Sequence, residues 1–230
     1  MSSDTGSSDT GARYALYYAP EPSDALWRAG CAWLGRDPAS GLPVEMPGLA
    51  RRAPLTRSAT RYGFHATLKA PMALNGPVTA FLDDVAAFAA SSSPFALPAL
   101  RIVEEGGFTA LRPAAPCPAL QAFGDDCVRA FDTHRRPEDP QRTAERAGRC
   151  TDRQKALLHR WGYPYVFDEW HFHMTLADSV LPPDIRGEME ALFTPALARE
   201  RMVASLCVFH EPRPGAPFTL LARCALGGGA

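Results

Sequence analysis

Two short stretches of this 230-residue chain repeat one pattern: Phe64-His65-Ala66-Thr67-Leu68 and Phe172-His173-Met174-Thr175-Leu176, 108 residues apart. An imidazole titrates near neutrality, so it can take a proton or give one. A threonine hydroxyl can donate to an anionic oxygen. Two His-x-Thr units facing each other would suit in-line attack at phosphorus. One neutral imidazole takes a proton from the attacking water, and an imidazolium on the far side protonates the departing oxygen. The hydroxyls hold the non-bridging phosphate oxygens, where charge resides in the transition state. Nothing in that scheme requires a metal or cofactor.

A β-strand would present the pattern in this way, because residues two apart share a face. Arg61, Gly63, His65, Thr67 and Lys69 then lie on one face, and Tyr62, Phe64, Ala66, Leu68 and Ala70 on the other. The second unit splits into Glu169, His171, His173, Thr175 and Ala177 against Trp170, Phe172, Met174 and Leu176. A lone histidine or threonine on a strand needs no functional explanation. Repetition of both, with the same Phe and Leu flanks, reads as two half-sites across a pseudo-twofold cleft.

Other residues are candidates for holding an anionic substrate. Lys69 and Arg61 share the His65 face. Residues 135–160 hold eight of the chain's 24 Lys and Arg against four acids. A solvated polar face explains such a run as well as a basic lid does. As a lid over a second phosphate, the run offers Arg135, Arg149 and Arg153. Tyr163 and Tyr165, beside the second unit, would stack a sugar or base, or simply pack a Gly/Pro turn.

The elements that position these residues follow from periodicity and breakers. Strands are expected at Arg13–Ala19, around each pentad (the second over Glu169–Asp178), and at 202–209 and 218–226. Segments 95–104 and 107–112 form a hairpin about Gly106-Gly107. Helices are expected at 23–34 with Ser23 as cap, across Val78–Phe88 and Leu120–Phe131, over Asp152–Trp161 stopped by Gly162, and at Pro183–Leu197. Residues 36–60, rich in Pro, Gly, Arg and Ser, read as one long loop. The order predicts an α+β domain with mostly antiparallel pairing.

Composition bounds the function. Hydrophobic residues make up 46% and charged residues 21%, with a formal net charge of −1. That is a globular composition, with no overall charge for a long nucleic acid or a membrane surface. No apolar run reaches the roughly 18–20 residues that span a bilayer. The N-terminus lacks a secretory pattern, and the six cysteines contain no C-x-x-C pair, so reduced thiols in a cytoplasmic protein are expected. Residues 1–12 read as a disordered tail and 13–228 as a single domain.

The paired His-x-Thr units resemble the signature of the 2H phosphoesterase superfamily. The blocks "RYGFHATLKAP" and "RWGYPYVFDEWHFHMTL", with "RYALYYAP" and "TDRQKALL", look like its branch associated with phosphonate-utilisation operons. The resemblance implies a bilobal fold, antiparallel sheets with helices outside and a central cleft. It makes His65 and His173 the acid/base pair and Thr67 and Thr175 the phosphate-binding pair. It also implies hydrolysis of a small cyclic phosphodiester: ribose 1,2-cyclic phosphate 5-phosphate in phosphonate breakdown, a nucleoside 2′,3′-cyclic phosphate, or an RNA end. His171 departs from the branch pattern. Two other readings stand beside this one. A zinc hydrolase would use His65, His171 and His173 as ligands, but it leaves both threonines and the repeat without a role. A non-catalytic module would keep the His/Thr cradle for binding alone.

Overall fold

A computed structural model describes residues 11–228. The strands are β1 (Arg13–Tyr18), β2 (Ala66–Met72), β3 (Phe95–Leu97), β4 (Leu100–Glu105), β5 (Phe108–Pro113), β6 (Met174–Ala177), β7 (Arg201–Val203), β8 (Ser205–Glu211) and β9 (Thr219–Ala225). The helices are α1 (Ala25–Leu34), α2 (Leu49–Arg52), α3 (Arg57–Tyr62), α4 (Val78–Ser91), α5 (Pro118–Ala130), α6 (Pro140–Ala147), α7 (Asp152–Trp161) and α8 (Pro183–Leu197). The expected tail, residues 1–12, lies outside the described residues except for its last two.

The α+β expectation holds. Seven strands form one antiparallel sheet in the order β4-β5-β6-β2-β1-β8-β9, and β3 and β7 pair separately. The two motif strands, β2 and β6, lie side by side, joined through the pair Ala66↔Met174. These are the middle residues of His-Ala-Thr and His-Met-Thr. A pair that matches a residue with its own counterpart 108 positions on lies on a local twofold axis. The halves β4-β5-β6 and β2-β1-β8-β9 meet there.

Local chemistry accounts for much of the framework. Gly106 and Gly107 both adopt positive φ (62° and 84°) between paired Glu105 and Phe108, as a two-residue hairpin with the sheet's twist requires. Thr151 and Gln154 form a reciprocal cap at the start of α7, and Gly162 ends it in the left-handed conformation. Phe64, Leu68, Phe172 and Leu176 are all buried, as their face predicted.

Three local expectations fail. The cap of α1 is Asp24 rather than Ser23: its carboxylate accepts from Leu26 N at 2.8 Å and also holds Arg201 Nε at 2.8 Å. Residues 36–60 are not all loop, because α2 and most of α3 lie there. Arg52 is fully buried and donates to the carbonyls of Trp33 and Ala32 at the end of α1. The Asp178 carboxylate caps the start of α3 by accepting from Ser58 N and Ala59 N. These helices rest on distant polar partners, so they show no apolar periodicity. Finally, the second motif strand begins at Met174, not Glu169, and Phe167–Glu169 is instead a 3-10 turn.

Candidate active site

Extending the Ala66↔Met174 pairing by one residue either way sets His65 across from Thr175 and Thr67 across from His173. Directly opposed residues of an antiparallel pair share a face. The four side chains therefore form a square at the seam, each histidine beside the other strand's threonine. All four line one cleft of about 630 Å³, ample for a sugar phosphate.

Each histidine is oriented by the same device. His65 Nδ1 donates to Gly63 O and His173 Nδ1 to His171 O, each at 2.8 Å. In the neutral tautomer this leaves Nε2 as the base, and His65 Nε2 lies 3.3 Å from Thr67 Oγ1. Two indoles brace the motif backbone, Trp33 Nε1 on Leu176 O and Trp170 Nε1 on Thr67 O. Buried carbonyls need such partners.

The two imidazoles differ in surroundings. His65 stacks on Tyr17 with ring centres 3.7 Å apart, and Tyr62 and Phe209 lie near it. Loss of water lowers its pKa to about 4, opposed by the Gly63 bond and reinforced by His173. The pKa of His173 is also lowered, by loss of water first, then by Arg112 and His171, against the bond to the His171 carbonyl.

A basic wall faces these groups. Arg13, Arg135, Arg136, Arg142 and Arg146 line the cleft with Tyr62 and Tyr163. Buried Glu211 fixes Arg13 (2.5 Å). Asp132 fixes Arg135 (2.8 Å), and Glu138 holds Arg142 (3.3 Å) and Arg146 (2.7 Å). Arg136 is exposed and makes no side-chain ion pair among the described residues. The basic run was visible in sequence, but which of its arginines reach the cleft depends on α6 for Arg142 and Arg146 and on the Leu74–Arg135 bridge for Arg135 and Arg136. Tyr17 and Arg13 were missed because only the β1 pairing reveals their neighbours.

The other expected contacts lie elsewhere. Arg61 sits on α3, stacked on Tyr62 (4.6 Å) and bonded to Glu211 (3.1 Å), outside the cleft lining. Tyr165 is exposed, and its neighbour Tyr163 faces the cleft instead. Arg153 pairs with Asp168 on the surface, and Arg149 is exposed outside the lining. His171 lines a separate depression, and among the described residues no three His, Cys, Asp or Glu side chains converge as metal ligands would. The zinc triad of His65, His171 and His173 is therefore not assembled.

Lys69 is the most instructive correction. On β2 the pair Tyr17↔Thr67 is followed by Leu16↔Lys69, so Leu68 is skipped. On β6 the pair Ala110↔Thr175 is followed by Thr109↔Ala177, so Leu176 is skipped. Each motif thus carries a bulge just after its threonine, at equivalent positions, and a bulge disrupts alternation. Lys69 does not line the cleft; it is buried, with Nζ donating to Val128 O of α5 at 3.1 Å and lying 3.6 Å from Asp132.

Loss of water lowers the Lys69 pKa from 10.5 to about 8, although Asp132 opposes the shift. The sign for stability follows. Between those values the unfolded chain binds more protons than the folded one, so this lysine's contribution to stability rises with pH. We expect chemical denaturation to show wild type gaining about 3 kcal/mol on Lys69→Met between pH 8 and 10.5, from the shift at about 1.4 kcal/mol per pK unit. A difference that stays flat with pH would refute the assignment.

Residues 67–219 match the family described as "Protein of unknown function (DUF1045)". A protein of Janthinobacterium sp. (strain Marseille) named ribose 1,5-bisphosphate phosphokinase PhnN is 37% identical over 237 residues, covering 96% of this chain and 52% of its own length. A protein of the same name from Laribacter hongkongensis (strain HLHK9) is 37% identical over 218 residues, covering 90% of this chain and 50% of its own. The chain therefore spans about half the length of these curated relatives. Among solved structures, E. coli LigT complexed with 3'-AMP aligns with a TM-score of 0.44 and 13% identity, over 93% of this chain and 97% of that one.

Proposed function

The chain belongs to the DUF1045 family of proteins of unknown function, and from that premise we propose that it is a metal-independent phosphodiesterase opening a small cyclic phosphodiester. One observation carries the reading: the pair Ala66↔Met174 sets two His-x-Thr units against each other in one cleft. A single histidine would serve many folds. Two histidines with two hydroxyls, related by a twofold axis, match the two sides of an in-line displacement.

In the proposed reaction, water attacks phosphorus and its proton passes to one Nε2. The bond from phosphorus to one ring ester oxygen breaks, and that oxygen takes a proton from the other imidazolium. A phosphomonoester and a free hydroxyl result. Thr67 and Thr175 donate to the non-bridging oxygens. His65 is the base, because its enclosure against Tyr17 keeps it neutral. His173 is the acid. The arginine wall holds the anionic substrate in the cleft.

The proposed substrate is ribose 1,2-cyclic phosphate 5-phosphate. Cleaving its bond from phosphorus to O2 yields ribose 1,5-bisphosphate, the compound in the name of the curated relatives. A module sharing a chain with a kinase for that compound would supply it. Product analysis by 31P NMR tests this: we expect the 1-phosphate alone. Release of the 2-phosphate, or an untouched substrate beside an opened nucleoside 2′,3′-cyclic phosphate, would refute the substrate.

A pH profile tests the roles. For the free protein, kcat/KM needs His65 neutral, hence pH above about 4, and His173 charged, hence pH below its lowered pKa, itself under 6.5. We expect a bell centred on the acid side of neutrality. The kcat profile should lie at higher pH, because bound phosphate favours both imidazoliums. A kcat/KM alkaline limb above pH 7 would contradict the assignment.

A further inference from the structure

The face of the sheet that carries the catalytic square carries a second group of charges. β4 and β5 pair so that Arg101 stands directly opposite Arg112. Like charges so opposed destabilise a sheet unless something balances them. Glu105 lies 2.6 Å from Arg112 Nη1. The Nε of Arg112, however, is buried without a hydrogen-bond partner. Arg101 is exposed and has no ion pair among the described residues.

Register ties this pair to the chemistry. The pair Leu111↔Met174, extended by one residue, sets Arg112 beside His173, and the next strand brings Thr67. Arg101, Arg112, His173 and Thr67 thus form a row across β4, β5, β6 and β2, with strands about 4.8 Å apart. Around the two arginines is a depression of about 350 Å³, also lined by His171, Trp170 and Gln121. It has cationic and neutral donors, and no carboxylate lines it.

We propose that this depression is an oxyanion subsite, in which Arg101, Arg112 and His171 hold a phosphate-sized group one strand away from His173. The exposed Arg101 fork supplies donors that no protein group uses, and the Arg112 guanidinium beside it keeps one buried donor, its Nε, without a protein partner. The charge of Arg112 disfavours a proton on His173. An anion on Arg112 would offset that charge and favour the proton that the leaving oxygen needs. The effect on turnover rests on the phosphodiesterase reading; binding does not. The oxyanion is either free phosphate or a distal phosphate of the substrate itself.

Calorimetric titration of the full chain with inorganic phosphate tests binding. We expect two classes of site in wild type, one of them the catalytic cleft, and a single class in Arg101→Gln/Arg112→Gln. The single variant Arg101→Gln, at an exposed position, serves if the double variant misfolds, and should weaken the second class at least tenfold. Kinetics separate the two sources. If the substrate supplies the anion, the double variant raises KM at least tenfold for a cyclic sugar phosphate bearing a second phosphate, and not for one lacking it. If free phosphate does, adding it raises kcat, read at saturating substrate where competition at the catalytic cleft is overcome, on the substrate lacking a second phosphate, in wild type only. Equal phosphate stoichiometry in wild type and in both variants overturns the subsite. A chain inactive on every cyclic diester would end the phosphodiesterase reading and leave the stoichiometry to decide the subsite.

Discussion

His65→Ala and His173→Ala are each expected to lower kcat/KM at least 100-fold, with protein that folds as wild type does. Removing a positioned general acid or base commonly removes ~10²–10⁴. Both rings line the cleft and are half-buried, and each makes a single backbone hydrogen bond through Nδ1. Truncation should therefore spare stability. The variants should differ in pH dependence. His65→Ala removes the acid limb, because no base remains to be protonated. His173→Ala removes the alkaline limb. The double variant should be scarcely worse than either single one, since the two act as a unit. Full activity in either single variant would overturn the site.

The second large effect comes from a residue outside the cleft lining. Gly30 of α1 lies under Phe64, and a Cβ there would come within 2.2 Å of the Phe64 ring. Alanine is worth about 1 kcal/mol over glycine inside a helix. Overpacking costs about 1–3 kcal/mol, and the obstructing atoms belong to a rigid ring that is fully buried. Phe64 is the residue before His65, so relief of the clash must move the base. A shift near 1 Å can cost ~10² in rate. We expect Gly30→Ala to lower both the thermal midpoint and kcat. Gly187 of α8 is the control, because nothing lies within 4 Å of its added Cβ. Gly187→Ala should gain up to ~1 kcal/mol and keep activity. If Gly30→Ala behaves like Gly187→Ala, the packing account of the base is wrong.

The pentads were legible in the sequence because two-residue alternation and a 108-residue repeat are local patterns. Phe64, Leu68, Phe172 and Leu176 went to the core, and His65, Thr67, His173 and Thr175 to the cleft. The hairpin and the end of α7 were legible through Gly106-Gly107 and Gly162, whose backbone preferences are intrinsic. Lys69 was misplaced because a bulge depends on the partner strand, and nothing in "HATLKAP" announces one. α3 was hidden because its cap, Asp178, lies 120 residues away. Arg61 went with it, since it was assigned to a strand that starts only at Ala66. Tyr17 escaped for the same reason: its stacking on His65 exists only once β1 and β2 pair. The half-sites differ in sequence, with Lys69 in one where Ala177 stands in the other and Gly63 where His171 stands. Matching bulges keep Lys69 and Ala177 out of the cleft lining, so the asymmetry lies instead in Tyr17, Arg112 and the arginine wall.

The central claim is that two histidines open a cyclic phosphodiester without a metal. The most direct measurement is turnover of ribose 1,2-cyclic phosphate 5-phosphate by the full chain after exhaustive chelation, with EDTA kept in the assay. The account predicts an undiminished rate, ribose 1,5-bisphosphate as product, and loss of that rate in His65→Ala and His173→Ala. A rate that disappears on chelation and returns with added zinc would contradict it, as would an unopened ring beside a control phosphodiesterase that opens it.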